Sequence, residues 1–217
     1  MNNKEVLKYV DHTLLKAYAK WDEIKKLCDE SIEYGTASVC VPPCYIGRIH
    51  EAYKGQVNIC SVIGFPLGYQ TTQAKLAECK QALREGANEI DMVINIADVK
   101  NGDYKKVEDE IRILKEEVSD KILKVIIETC YLNEEEKKKM CEAVTNAGAD
   151  YIKTSTGFGT AGATLEDIKL FKENIGPDVK IKAAGGIRSL DEMKAFIKEG
   201  CSRIGTSSAI QLLKEMN

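Results

Sequence analysis

Short β-prone runs alternate with stretches whose apolar residues recur every three or four positions, along the whole of the 217-residue chain. The runs cover 9–15, 37–41, 57–63, 89–95 and 123–128, then the stretches around Lys153 and Lys182, and finally 203–207. Between them the helical period is clear. Ile24, Leu27, Cys28 and Ile32 mark one face of a helix from Trp21 to Tyr34, and Ile46 and Ile49 a shorter one. Leu76, Cys79 and Leu83 are the expected buried face of 72–85, and Val107, Ile111, Leu114 and Val118 form a stripe along 104–118. Asn133 with Glu136, Thr164 with Asp167 and Ser189 with Glu192 are spaced as N-terminal caps. They open helices carrying Leu165, Ile168 and Phe171, then Leu190, Met193, Phe196 and Ile197, and a last helix follows Ser208. Glycines just before strands, in 85–87, 147–150 and 199–201, suit helix C-termini.

Strands separated by helices pair in parallel, because a parallel crossover needs such a connection. Eight strand–helix units fit a closed (β/α)8 TIM barrel at the short end of its size range, or an open doubly wound sheet. There is no linker or low-complexity stretch, so one α/β domain spanning 1–217 is expected.

The stretch 151–157, Tyr-Ile-Lys-Thr-Ser-Thr-Gly, places Lys153 near the end of a strand. A buried ammonium loses its hydration, so such a lysine needs a carboxylate partner or a chemical task. Lys182 repeats the pattern one strand later, in Lys180-Ile181-Lys182-Ala183-Ala184-Gly185-Gly186. If the fold is a barrel, its site lies at the C-terminal strand ends. Alternation then puts Lys153 on one face with Tyr151 and Ser155, Lys182 on one face with Lys180, and Asp91 inside with Glu89 and Val93. Lys180 falls at the floor. Two adjacent ammonium groups repel, and burial adds to the penalty, which favours a neutral amine on one of them. Asp91 then pairs with the remaining ammonium or moves protons. The alternative is a buried Lys–Asp ion pair with no catalytic task.

The loops after strands seven and eight, Gly185-Gly186 and Gly205-Thr206-Ser207-Ser208, have the composition of a phosphate cradle, with Gly157 beside them and Arg188 as a candidate cation. The same glycines would also serve tight turns. Asp11 and His12 either line the site or cap a turn. Cys40 lies either at the pocket wall or against a helix, and Glu128 is an inward candidate without an assigned task.

Composition narrows the classes. A net charge of −3 argues against nucleic acid or an anionic membrane as partner. No segment has the apolar length of a membrane span, and the first residues carry no apolar signal core, so a cytoplasmic location is expected. The eight cysteines contain no Cys-x-x-Cys pair and there are two histidines, so neither disulfides nor a metal site is expected, and most cysteines are read as core residues.

Seven segments in order resemble the deoxyribose-phosphate aldolase family of class I aldolases: 11–16 (Asp-His-Thr-Leu-Leu-Lys), 39–42 (Val-Cys-Val-Pro), 62–66 (Val-Ile-Gly-Phe-Pro), 89–95 (Glu-Ile-Asp-Met-Val-Ile-Asn), 153–158, 182–188 and 205–208. The resemblance implies a barrel that reversibly cleaves 2-deoxy-D-ribose 5-phosphate to D-glyceraldehyde 3-phosphate and acetaldehyde, in deoxyribonucleoside breakdown, without cofactor or metal. It implies Lys153 as the Schiff-base nucleophile, and Lys182 and Asp91 as its proton-handling partners. Asp11 falls on a sugar-hydroxyl contact and Cys40 on the pocket wall. Gly157, Gly185, Gly186, Gly205, Ser207 and Ser208 fall on the phosphate site. Phosphorylated sugars and small aldehydes are the implied partners, and a homodimer or homotetramer the implied assembly. Two positions depart from the pattern. Phe158 stands where some members have lysine, and the chain ends Lys214-Glu215-Met216-Asn217 where some end in tyrosine. A different class I barrel enzyme and a non-enzymatic phosphosugar-binding barrel remain the competing readings.

Overall fold

The computed structural model describes residues 1–215; Met216 and Asn217, the end of the tail noted above, lie outside the described residues. Eight parallel strands close into a barrel in sequence order: β1 (Val10–Thr13), β2 (Ser38–Val41), β3 (Ile59–Ile63), β4 (Glu89–Val93), β5 (Ile122–Ile126), β6 (Tyr151–Lys153), β7 (Lys180–Ala184) and β8 (Arg203–Thr206). β8 pairs back onto β1, with Asp11 opposite Gly205, so no edge is left open. The open-sheet alternative is thereby excluded, and the barrel is a single domain.

The helices between the strands start and stop for local reasons. Asn133 and Ser189 form reciprocal capping boxes with Glu136 and Glu192, and Thr164 caps the N–H of Asp167. The helix Trp21–Tyr34 ends on Gly35 and the helix Thr72–Glu85 on Gly86, both left-handed. Two short helices, Asn3–Val6 and Ile96–Lys100, are not evident from periodicity, because a single turn gives a 3.6-residue repeat nothing to repeat over.

Two faces are rotated from expectation. In Trp21–Tyr34 the buried positions are Ile24, Leu27, Cys28 and Ser31, while Ile32 is 45% exposed. In Thr72–Glu85 the buried residues are Lys75, Cys79 and Ala82, with Leu76 and Leu83 half-buried at the rim. Hydrophobicity alone misplaces both stripes, because it counts Ser31 and Lys75 as outward. Lys75 is inside because Glu110, on the helix Tyr104–Val118, meets its ammonium at 2.8 Å, and the carbonyl of Val93 accepts a second bond at 2.8 Å.

The apolar core is a ring between strands and helices. Ile90 and Met92 of β4, Leu123 and Val125 of β5, Ile152 of β6 and Ile181 of β7 point outward into it and pack with helix residues such as Leu114, Val144 and Phe171. Strand alternation therefore sends Glu89, Asp91, Lys124, Lys153 and Lys182 the other way, into the barrel. Fully burying one Leu- or Ile-sized side chain in that ring contributes roughly 1.5–3 kcal/mol.

Removing one partner of the Lys75–Glu110 pair leaves a buried charge alone, at a cost of about 3–5 kcal/mol. Lys75→Met is expected to destabilise by that order in denaturant unfolding, and Lys75→Met with Glu110→Leu by clearly less. Equal losses for the single and double variants would rule out the pair as the reason.

Candidate active site

Most barrel interiors are layered with branched aliphatic side chains. This one holds four cations, Lys124, Lys153, Lys182 and Arg203, against three carboxylates, Asp11, Glu89 and Asp91. Asp91 is the hub. Its Oδ2 accepts hydrogen bonds from Lys153 Nζ and Lys182 Nζ, both at 2.7 Å, and its Oδ1 accepts from Lys124 Nζ at 2.9 Å and from the Cys60 thiol at 3.1 Å. The strand register makes this convergence possible: Asp91 lies opposite Lys124 across β4–β5, and Lys153 opposite Lys182 across β6–β7. Deeper in the barrel, Glu89 pairs with Lys124 and with Arg203 Nη1 at 3.1 Å. Arg203 and Lys180 both lie over the Tyr151 ring, at 5.6 and 5.8 Å from its centroid, and Lys180 is exposed at the floor as expected.

Lys182 is the ammonium that the carboxylates hold. Burial pushes Lys182 towards neutrality, but the carboxylates of Asp11 and Asp91 outweigh it and hold the amine protonated well above the ordinary lysine value. Lys124 is held the same way. Burial would raise Asp91, yet Lys124, Lys153 and Lys182 together bring it well below the usual carboxylate range. Asp11 is lowered against its own burial by Lys182, Lys124 and Arg203.

A cavity of about 540 Å³ opens at the C-terminal strand ends, and Lys153 reaches into it. Gly157, Gly185, Gly186, Gly205, Ser207, Ser208 and Arg188, all anticipated from the sequence, line it. Gly185 and Gly186 have φ of +83° and +74°, and the chain at Gly162 passes so close that a Cβ there would lie 2.1 Å from the Gly185 carbonyl oxygen. Gly205 has another purpose besides: a Cβ on it would lie 3.2 Å from Lys182 Cε, so the missing side chain makes room for that lysine.

Asp11 and Cys40 are placed elsewhere. Both are fully buried and neither lines the cavity. Asp11 sits below it, where it accepts from Ser38 Oγ at 2.7 Å and Arg203 Nη1 at 2.5 Å and forms an ion pair with Lys182. Cys40 packs inside the barrel with Cys60 and Val62, beneath Leu15 and Phe65. His12 points away, to Glu30 at 3.2 Å. The donor atoms of Cys40, Cys60 and Asp91, and of Asp11, Cys60 and Glu89, are close enough to hold an ion, but their carboxylates are already matched by lysine and arginine.

Sequence reasoning misses three members of the charged interior, Lys124, Arg203 and Cys60. Lys124 carries the same signal as Lys153, a lysine inside an apolar strand, Ile122–Ile126. Arg203 opens its strand and gives none. Phe158, the departure from the family pattern, is 55% exposed and meets Phe65 edge-on with centroids 5.4 Å apart. These two phenylalanines and Leu15 border a second, apolar cavity of about 270 Å³.

Lysine–carboxylate networks of this kind also occur as pure structure, so comparison with known proteins is informative. Residues 5–214 match the model of the DeoC/LacD family aldolase. A deoxyribose-phosphate aldolase from Clostridium botulinum is 71% identical over 99% of this chain and 97% of its own. One from Clostridioides difficile is 58% identical over 97% and 96%. A tetrameric deoxyribose phosphate aldolase from Aeropyrum pernix superposes with a TM-score of 0.88 at 30% identity, covering 99% of this chain and 92% of that one. No described helix is long and apolar enough to cross a membrane.

The buried charges set a pH window. Asp11 and Asp91 have depressed pKa values, so their contribution is full above the unfolded value of about 4 and declines as pH falls below it. Lys182 is raised, so its contribution is full below about 10 and lost as pH rises beyond. Unfolding free energy should therefore hold steady through neutrality and fall at both extremes. Lys124→Met, which strips a cation from Asp91 and Glu89, should lower the whole plateau by about 3–5 kcal/mol; a variant matching the parent across the range would contradict the network's role.

Proposed function

The chain belongs to the DeoC/LacD aldolase family, and from that premise we propose that it is a class I enzyme cleaving 2-deoxy-D-ribose 5-phosphate reversibly to D-glyceraldehyde 3-phosphate and acetaldehyde. The observation that carries this reading is Lys153: it is the one amine of the Asp91 network that faces the cavity, and it sits 2.7 Å from a carboxylate oxygen shared with Lys182.

Lys182 and Lys124 are held protonated by their carboxylates. Lys153, at the open end, is the amine positioned to attack. It adds to C1 of the open-chain sugar, and the carbinolamine loses water to give an iminium. A water held by Asp91 and Lys182 takes the C3 hydroxyl proton and the C2–C3 bond breaks; its electron pair passes into the iminium and leaves an enamine of acetaldehyde on Lys153. D-glyceraldehyde 3-phosphate departs, C2 is protonated, and hydrolysis frees acetaldehyde and the amine. Asp91 accepts and returns protons next to the nitrogen, with Lys182 as the cation that keeps Asp91 ionised. Asp11 acts in this scheme by holding Lys182 rather than by touching sugar hydroxyls. The iminium provides the electron sink, so the scheme needs no metal or cofactor, and activity should persist in EDTA.

The phosphate is assigned to the end lined by Gly157, Gly185, Gly186, Gly205, Ser207 and Ser208, with Arg188 supplying positive charge. Anchoring the substrate there, away from the reacting carbons, holds C1 within reach of Lys153. The tetrameric relative supports assembly as a homodimer or homotetramer, measurable by light scattering.

Borohydride reduction in the presence of acetaldehyde should add an ethyl group to Lys153, read by peptide mass spectrometry. Labelling of Lys182 instead would move the nucleophile, and no labelling of folded protein would favour a sugar-binding barrel. Lys153→Ala should lower turnover on the order of 10⁴-fold or more with the fold retained; near-parental activity would end the assignment.

A further inference from the structure

Three non-glycine residues have positive φ among those described: Lys54, Ser119 and Glu128. The first two are exposed at the C-terminal ends of helices: Lys54 in the left-handed turn that is routine there, and Ser119 outside that region with φ 57° and ψ −116°. Glu128 is different. It follows β5 with φ 50° and ψ 68°, is 2% exposed, and carries an ionisable side chain into the protein. A Cβ is disfavoured in that conformation, so surrounding contacts must impose it, and residues held this way concentrate at working sites.

The shortest contacts of the carboxylate lead to Thr156, with the Cys130 thiol farther off at 3.9 Å. The Thr156 N–H lies 3.2 and 3.3 Å from the two carboxylate oxygens of Glu128, and the Thr156 hydroxyl donates to Oε2 in a very short bond. Thr156 Oγ1 then accepts from the Phe158 N–H at 3.0 Å. The Thr129 N–H donates to the Thr154 carbonyl at 3.0 Å, tying the two loops at their bases. Gly159 lies against the same carboxyl: a Cβ there would come within 3.1 Å of Glu128 Cδ and 2.8 Å of Cys130 Sγ. The segment 154–159 is thus laid over one buried acid. Thr156, Gly157 and Phe158 from that segment are wall of the main cavity, and Gly157 lies directly against Gly185, where a Cβ on Gly185 would come 3.4 Å from Gly157 Cα.

Burial raises the Glu128 pKa, which the Thr156 bonds and the charge of Lys153 offset in part; Cys130 is the other titratable group beside it. We propose that Glu128 is a positioning residue for the aldol cleavage: acting through Thr156, it fixes the cavity wall at residues 156–158 against the Gly185–Gly186 loop and so sets where the substrate's phosphorylated end lies relative to Lys153. The proposal deepens the functional reading above and rests on its assignment of the phosphate end.

The test compares Glu128→Gln, Thr156→Val and the double variant with the parent. Glu128→Gln keeps the side-chain shape but leaves one acceptor oxygen where the carboxylate offers two, so the Thr156 N–H and hydroxyl can no longer both be met. It should raise KM for 2-deoxy-D-ribose 5-phosphate about tenfold or more, with a much smaller change for unphosphorylated 2-deoxy-D-ribose. Borohydride trapping of acetaldehyde on Lys153, which makes no use of the phosphate end, should run at the parental rate. Thr156→Val should reproduce the KM effect, and the double variant should be no worse than either single. An unchanged KM, an equal loss with the unphosphorylated sugar and in trapping, or additive effects in the double variant would each overturn the proposal. Should Glu128→Gln fail to fold, Thr156→Val carries the same comparison of phosphorylated and unphosphorylated sugar. Should the parent trap acetaldehyde yet leave 2-deoxy-D-ribose 5-phosphate intact, the substrate assignment falls and inorganic phosphate becomes the probe. Weaker phosphate binding by Glu128→Gln would then support the positioning role, and equal binding would remove it.

Discussion

Asp91 is the constraint on which the rest depends. One carboxylate, fully buried, receives lysines from three other strands of the barrel. Each ion would cost several kcal/mol to bury alone, and together they are tolerable only in this mutual arrangement. The arrangement needs every strand in its register, because a shift of one residue turns all the side chains of that strand to the opposite face. Closure of β8 onto β1 is part of the same requirement: it brings Arg203 and Asp11 to the far side of Lys182.

Stability and chemistry are thereby divided between two concentric layers. Strand residues of the other alternation set, among them Ile90, Met92, Val125, Ile152 and Ile181, pack with the helices into a continuous apolar ring. With the hydrophobic drive met outside, the space within the strands is free to hold charge. Buried ion pairs are weak sources of stability but strong sources of specificity, since a misregistered barrel leaves ions unmatched. That division suits the proposed reaction, which must change the protonation state of an amine without unfolding its surroundings.

The cavity above this interior is lined differently on its two sides. Glycines, serines and Arg188 occupy one side, and Leu15, Phe65 and Phe158 separate the other from a smaller apolar pocket. Phe158 stands where some members of the family carry lysine. It places a ring against Phe65 at that boundary, and the cationic side chains lining the main cavity besides Lys153 are Lys16 and Arg188.

What the sequence makes legible depends on the range of the interaction. Helix limits are readable because caps are local: the helices Trp21–Tyr34, Thr72–Glu85 and Tyr104–Val118 run as their periodicity indicates. Lys153, Lys182 and Asp91 stand out because a charge in an apolar strand conflicts with its immediate neighbours. The inward face of each strand follows from simple alternation. The partner of each charge is beyond the reach of sequence. Lys75 reads as solvent-facing until Glu110, 35 residues away, is seen beside it. Asp11 and Arg203 are 192 residues apart and meet because the barrel closes. Lys182 reads as the partner of Lys153, and only the closed barrel shows that two carboxylates from distant strands, Asp11 and Asp91, hold it protonated. The chain's own order thus determined which longer elements form and which strand residues face inward, since those depend on neighbours within a few positions. The tertiary structure alone decided which charges neutralise which, because Coulomb energy in a buried site depends on distances that only the closed barrel sets.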